Sequence, residues 1–213
     1  MLKTETCFVS VFDILKSMKI KFIYNVKTEL NSVIDTYDDK ELILKFGYKY
    51  FLPKGFSIED NNLDKLKSVI ESEMNDSVIE GAKKNISDNW SLHQVELVKL
   101  LGKIKNDPPS EVKVVLTKYG TGGMYILPST VVLNVYYKDY FDGFVHELIH
   151  CLIEKPIIQK YKVNHQAKEG IVDWLFLNNK VLKNMFPEYQ KQNLSIFPDK
   201  NQINKFGLNY DLT

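Results

Sequence analysis

Hydrophobic positions change their spacing several times along the chain, and each change predicts a different element. Two early segments, "KIKFIYNV" (19–26) and "ELILKFGYKYF" (41–51), are rich in Ile, Phe and Tyr and read as strands. In the second, Leu42, Leu44, Phe46, Tyr48 and Tyr50 alternate onto one face. The flanking "DTYDDK" and "LPKG" are turn material. The first dozen residues fit helix or strand equally. From residue 57 the spacing becomes helical. Leu63, Leu66, Val69 and Ile70 make one stripe, and Leu92, Val95, Leu97, Val98, Leu100 and Leu101 make a broader one. "NDPPS" (106–110) stops the second helix, because adjacent prolines cannot continue it.

From Glu111 the pattern turns to strands: "EVKVVLT", the turn "KYGTGG", then "MYILPSTVVLNVYY". A helix is expected over 139–154, a loop at Pro156 and a second helix over 164–180. The polar tail from Phe186, with two prolines, is expected to be irregular with one short helix. This order predicts an α+β fold. Residues 106–213 are expected to form one domain with two helices and a small mixed sheet, preceded by an N-terminal α+β lobe over 1–105. A single domain spanning both is the other arrangement the pattern allows.

Composition narrows the function classes. The chain has 213 residues, 44 % hydrophobic and 26 % charged, with net charge +1, an ordinary globular profile. No basic surface for tracking phosphates is expected, so nucleic acid is not an expected partner. Two cysteines, Cys7 and Cys151, supply no disulfide framework. The opening residues show no clean apolar signal region, and no run reaches the roughly 18 apolar residues of a membrane span. A cytoplasmic location without a membrane partner is therefore expected.

The candidate chemistry sits in "YFDGFVHELIHCLIEK" (140–155). On a helical wheel His150 lies about 40° from His146 and Glu147 about 100° away. Phe141, Phe144, Val145, Leu148 and Leu152 occupy the opposite side. Gly143 falls on the histidine face, where a side chain would crowd a ligand. Residues at i and i+4 stack on one face, so both imidazoles can reach one Zn²⁺. Glu147 is turned aside and can hold a water beside the metal. Cys151 lies on the shoulder of the apolar back and is expected to pack. His93, on another helix, is expected to cap or face water.

A catalytic zinc needs a third protein ligand. After His150 the candidates are Glu154, His165, Glu169 and Asp173. In "NHQAKEGIVDWLF", Glu169 and Asp173 are four apart, with Ile171, Val172 and Leu175 on the opposite side. Glu169 can complete a His-His-Glu set, and Asp173 can accept the free ring N–H of a liganding histidine. His165, one turn before Glu169, can line the cleft, replace Glu169 as ligand, or serve simply as a polar residue at the helix start.

HExxH followed by ExxxD in "EGIVDW" resembles the gluzincin metallopeptidases, the thermolysin-like class. The resemblance covers about residues 111–180. It implies a zincin-like domain with an active-site helix, a glutamate-bearing helix and an edge strand along the cleft. It implies that His146, His150 and Glu169 bind Zn²⁺, that Glu147 is the general base and that Asp173 orients His146. Tyr161 stands where such enzymes carry an oxyanion-binding tyrosine. No histidine follows His165, so Tyr189 or Tyr210 is the candidate for the second oxyanion donor. An extended peptide or protein substrate would pair with the strand near Gly122, Gly123, Met124 and Tyr125; a plain hairpin turn is the alternative there. The function implied is a zinc-dependent metallopeptidase. The alternatives are a non-catalytic or self-inhibited zincin-fold binding protein, with the tail in the cleft, and a zinc hydrolase of a non-peptide amide. Oligomeric state is not legible.

Overall fold

The computed structural model describes residues 18–59, 63–74, 76–104, 108–137, 139–192 and 195–208. Readings at Cys7, over the first dozen residues and at Tyr210 lie outside them. The fold is mixed α+β, with a small four-stranded mixed sheet. Strand β1 (Lys19–Ile23) leads into helix α1 (Val26–Asp38) and the short α2 (Lys40–Phe46). Then come α3 (Leu63–Glu73) and the long α4 (Asp76–Ile104). Strands β2 (Glu111–Thr117), β3 (Gly123–Ile126) and β4 (Thr130–Asn134) follow. The rest is helical: α5 (Tyr140–Ile153), a π-helical turn (Glu154–Gln159), α6 (His165–Asn178), α7 (Lys180–Met185) and α8 (Lys200–Phe206).

Three expectations are corrected. Residues 41–46 form α2, not a strand. Asn25 starts α1 with a reciprocal capping box to Thr28, and the chain re-enters a helix at Lys40. Only Ile43 of α2 is buried, while Leu42 and Leu44 stay 40 % and 53 % exposed. The alternating pattern thus finds no second sheet face to cover. Gly47, at φ 65°, ends the helix in the left-handed conformation that glycine adopts without strain. In the second correction, the helix carrying the stripe Leu92 to Leu101 is the end of the 29-residue α4. Leu97, Val98, Leu100 and Leu101 are buried, but Leu92 and Val95 are 75 % and 58 % exposed, so the broad stripe is narrower than its residue types suggest. Finally, Pro156 does not open a loop. It lies in the π-helical turn that continues α5, where a residue without an N–H is tolerated at the helix transition.

The sheet order is β1-β2-β4-β3, with β1 and β4 parallel to β2 and β3 antiparallel to β4. Strand β3 is therefore an edge. Val112, Val114 and Leu116 of β2 join Val131 and Leu133 of β4 in the main core with Phe144, Leu148 and Leu152 of α5. Helix α5 packs on β3, β4 and α4, and α6 packs against α5. A smaller core holds Val33, Leu66, Ile70 and Tyr119 beside it. Residue 105 does not separate two cores: β1 pairs with β2 across it, and α4 packs on α5. No helix among the described residues is long and apolar enough to cross a membrane.

Candidate metal centre

Helix α5 is apolar on almost every side, so it is buried nearly all round. That burial forces its two histidines inward: His146 is 6 % and His150 1 % exposed. Helix α6 begins at the cap Asn164, whose side chain accepts from Ala167 N–H. It presents Glu169 to the same space. The Nε2 atoms of His146 and His150 lie 3.0 Å apart, and Glu169 Oε2 lies 3.3 Å from the first and 3.1 Å from the second. Among the described residues these three form the one buried cluster of metal-ligating side chains.

The donor set fits a small divalent cation. Tetrahedral bonds of about 2.0–2.1 Å place neighbouring donors about 3.3 Å apart, close to the separations seen. Protonation favours ligation at two of the three donors, Glu169 and His150. Burial would raise the Glu169 carboxyl, but hydrogen bonds from both imidazoles hold it far below its ordinary range. Burial pushes His150 down to about 4. A neutral imidazole and an ionised carboxylate are the forms that offer lone pairs to a cation. His146 is raised, because Glu169, Glu147 and Asp173 outweigh the effect of its own burial.

Glu147 is half-buried and faces β3. A Cβ placed on Gly123 would come within 2.8 Å of Glu147 Oε1, so glycine is what lets the edge strand approach this carboxylate. Burial pushes Glu147 up to about 7, with His146 opposing and Glu169 reinforcing the shift. Beside it lies a cavity of about 620 Å³, which Gly122, Gly123, Met124, Tyr125, Glu147, His165 and Glu169 help to line. Tyr48 and Asp39 from the N-terminal half line it too.

Several expected roles look different at atomic distance. Asp173 does not touch His146. Its Oδ1 accepts from Tyr189 Oη at 2.6 Å, and Tyr189 Oη lies 2.9 Å from His146 Nδ1. Tyr189 is thus the link through which Asp173 reaches the imidazole, and it sits behind the ring, stacked on Phe176 at 4.0 Å. That position removes it from the oxyanion role. Tyr161 is turned away as well: its hydroxyl donates to the Lys205 carbonyl at 3.0 Å, and its ring packs on Phe206. His165 stands outside the donor set, with Nδ1 3.9 Å from Glu169 Oε1 and Nε2 2.6 Å from Tyr48 Oη. Glu154 is engaged by Tyr125 Oη at 2.6 Å. A Cβ on Gly143 would make only an ordinary contact with Leu133 at 3.6 Å, so that glycine does not open the cleft. His93 is half-buried and stacks on Phe141, and Cys151 is buried near the Thr130 carbonyl.

Three residues, Tyr48, Lys168 and Gln192, enter the site without a local sequence signal. Tyr48 holds His165. Lys168 lies 3.6 Å from Glu169 Oε1 and over the Tyr125 ring. The Tyr125 ring stacks on His150, centroids 5.1 Å apart. Gln192, in the tail, donates from Nε2 to Glu169 Oε2 at 3.0 Å and stands 3.3 Å from His146 Nε2. Comparison with protein-family models, curated proteins and solved structures gives no match to this chain.

Proposed function

We propose that the chain is a zinc-dependent metallopeptidase with a zincin-like catalytic unit. The observation that carries the reading is the convergence of His146 Nε2, His150 Nε2 and Glu169 Oε2 beside Glu147 and the edge strand β3. His146, His150 and Glu169 would hold the cation, which supplies Lewis-acid polarisation of a carbonyl and of a water. Glu147 would take a proton from a water as its oxygen adds to the peptide carbonyl carbon, and would return that proton to the amine nitrogen as the C–N bond breaks. Burial raises this carboxyl in the cation-free chain, which favours both holding and returning a proton. Strand β3 offers its unpaired edge to an extended peptide, which would bind as an added strand with its scissile bond near Glu147. The buried flank, Tyr125 stacked on His150 and Phe176 behind His146, keeps bulk water off the ligands.

Replacing Glu147 by Gln tests this reading. Cleavage of a mixed peptide library should fall by about 100- to 10 000-fold, while zinc content stays at about one per chain. Cleavage that survives the substitution sinks the assignment of the base, and a chain that binds no zinc sinks the reading whole. A second reading, a zinc protein whose own tail closes the site, is favoured by Gln192 lying against two of the three donors.

A further inference from the structure

The structure assigns Gln192 as a fourth, displaceable protein ligand of the cation site, carried on a C-terminal strap that closes the position a substrate would use. This rests on the metal reading of the cluster and not on peptide hydrolysis.

Four corners can be drawn from the measured separations. His146 to His150 is 3.0 Å, His146 to Glu169 3.3 Å and His150 to Glu169 3.1 Å. The Gln192 amide adds 3.0 Å to Glu169 and 3.3 Å to His146. Five of the six edges of a tetrahedron therefore fall between 3.0 and 3.3 Å, against about 3.3 Å for donors around a zinc-sized ion. Three protein donors would leave one corner for water and substrate, and a fourth makes the closed kind of site.

The terminal N and O of a glutamine amide occupy nearly equivalent places. The N–H end suits the Glu169 carboxylate. Half a turn of the amide puts Oε1 at the same corner, facing a cation.

The strap is built to hold this amide. Gln192 N–H donates to Asp173 Oδ2 at 2.8 Å, and Tyr189 Oη donates to the other oxygen of that carboxylate. Ser195 donates from both N and Oγ to the Gln192 carbonyl at 3.1 and 3.0 Å. Ile196 N–H donates to the Gln166 carbonyl at 3.0 Å. Gly170 makes the approach possible, since a Cβ there would fall 1.8 Å from the Ile196 carbonyl oxygen. Asp173 thus serves two purposes: through Tyr189 it orients His146, and directly it fixes the backbone that carries the fourth donor. Gln192 also lines the cavity, so a ligand in the groove can reach and displace it.

The test uses the full chain with Gln192→Ala and Gln192→Glu variants. Zinc affinity is measured by chelator competition. Acetohydroxamate affinity is measured on the Co²⁺-loaded proteins from the change in visible absorption. Removing the amide should weaken zinc at least about tenfold and tighten acetohydroxamate by a similar factor, because the competitor for that corner is gone. Gln192→Glu, with a stronger donor of the same length, should tighten zinc and weaken acetohydroxamate. Acetohydroxamate affinity unchanged in both variants overturns the assignment, even if zinc weakens, because a glutamine that only hydrogen-bonds Glu169 gives that pattern. That outcome leaves the peptidase reading standing. Failure of all three proteins to bind zinc overturns both.

Discussion

Gly123 and Glu147 show how one atom decides a site. A β-carbon on Gly123 would stand 2.8 Å from Glu147 Oε1, below any ordinary contact distance. Gly123→Ala must push Glu147 or β3 aside. A displacement on the scale of 1 Å costs positioned chemistry up to about 100-fold. The expected outcome is peptide cleavage reduced by about 10- to 100-fold with zinc stoichiometry unchanged. Equal activity in the alanine variant would show that Glu147 does not act from this position. The His146–Tyr189–Asp173 chain makes the same point about reach. An aspartate four residues beyond Glu169 is visible in the sequence, but its partner is a tyrosine 16 positions later, and no local spacing announces it.

Contacts between elements decide how the cleft is walled. Glu29 of α1 is fully buried and clamps that helix to the end of β2. It accepts from Thr117 Oγ1 at 2.6 Å and from Lys118 N–H at 3.1 Å. Burial raises its carboxyl above the ordinary range, with those hydrogen bonds opposing. The folded chain therefore binds this proton more tightly than the unfolded chain. Its contribution to stability is complete below the unfolded value of about 4.3 and is lost as pH rises through the raised folded value. Relative to Glu29→Gln, the native chain should lose stability above pH 4, at no more than about 1.4 kcal/mol per pH unit. Urea midpoints for the two chains across pH 4 to 7 check this; parallel curves would contradict it. The strap gives a second test between elements. In an unencumbered helix Gly→Ala stabilises by about 1 kcal/mol. At Gly170 the new carbon meets the Ile196 backbone, so Gly170→Ala should instead destabilise by about 1–3 kcal/mol and speed proteolysis within 187–198. A higher thermal midpoint would mean that the strap does not rest on α6.

At the scale of the whole molecule, the histidine-bearing helix depends on residues from the first half of the chain. Strand β1 forms the far edge of the sheet that supports α5, and α4 packs on α5 directly. Trp90 of α4 meets Phe144 edge-on at 5.8 Å. The cavity has a wall from the first half, with Tyr48 holding His165. A fragment of residues 106–213 would expose the apolar face that β1 and α4 cover. It should show no cooperative thermal transition, whereas the full chain shows one. A fragment that melts cooperatively and binds zinc would establish an independent second domain.

The i, i+4 histidines, the glutamate between them and the carboxylates at 169 and 173 are legible from spacing alone. Helical geometry converts four residues of sequence into one face, and the apolar residues around them specify which way that face turns. The strands from 111 to 134 and the two helices that follow are legible for the same reason, since their periodicity is local. What only the tertiary structure decided comes from distant segments. It turned residues 41–46 into a helix that buries Ile43 and leaves Leu42 and Leu44 exposed. It put β1 beside β2, moved Tyr161 out of the cleft, set Tyr189 between Asp173 and His146, and brought the Gln192 amide onto Glu169. Each of these follows from which surfaces can bury one another once the chain folds back, and a pattern confined to neighbouring residues carries no information about that.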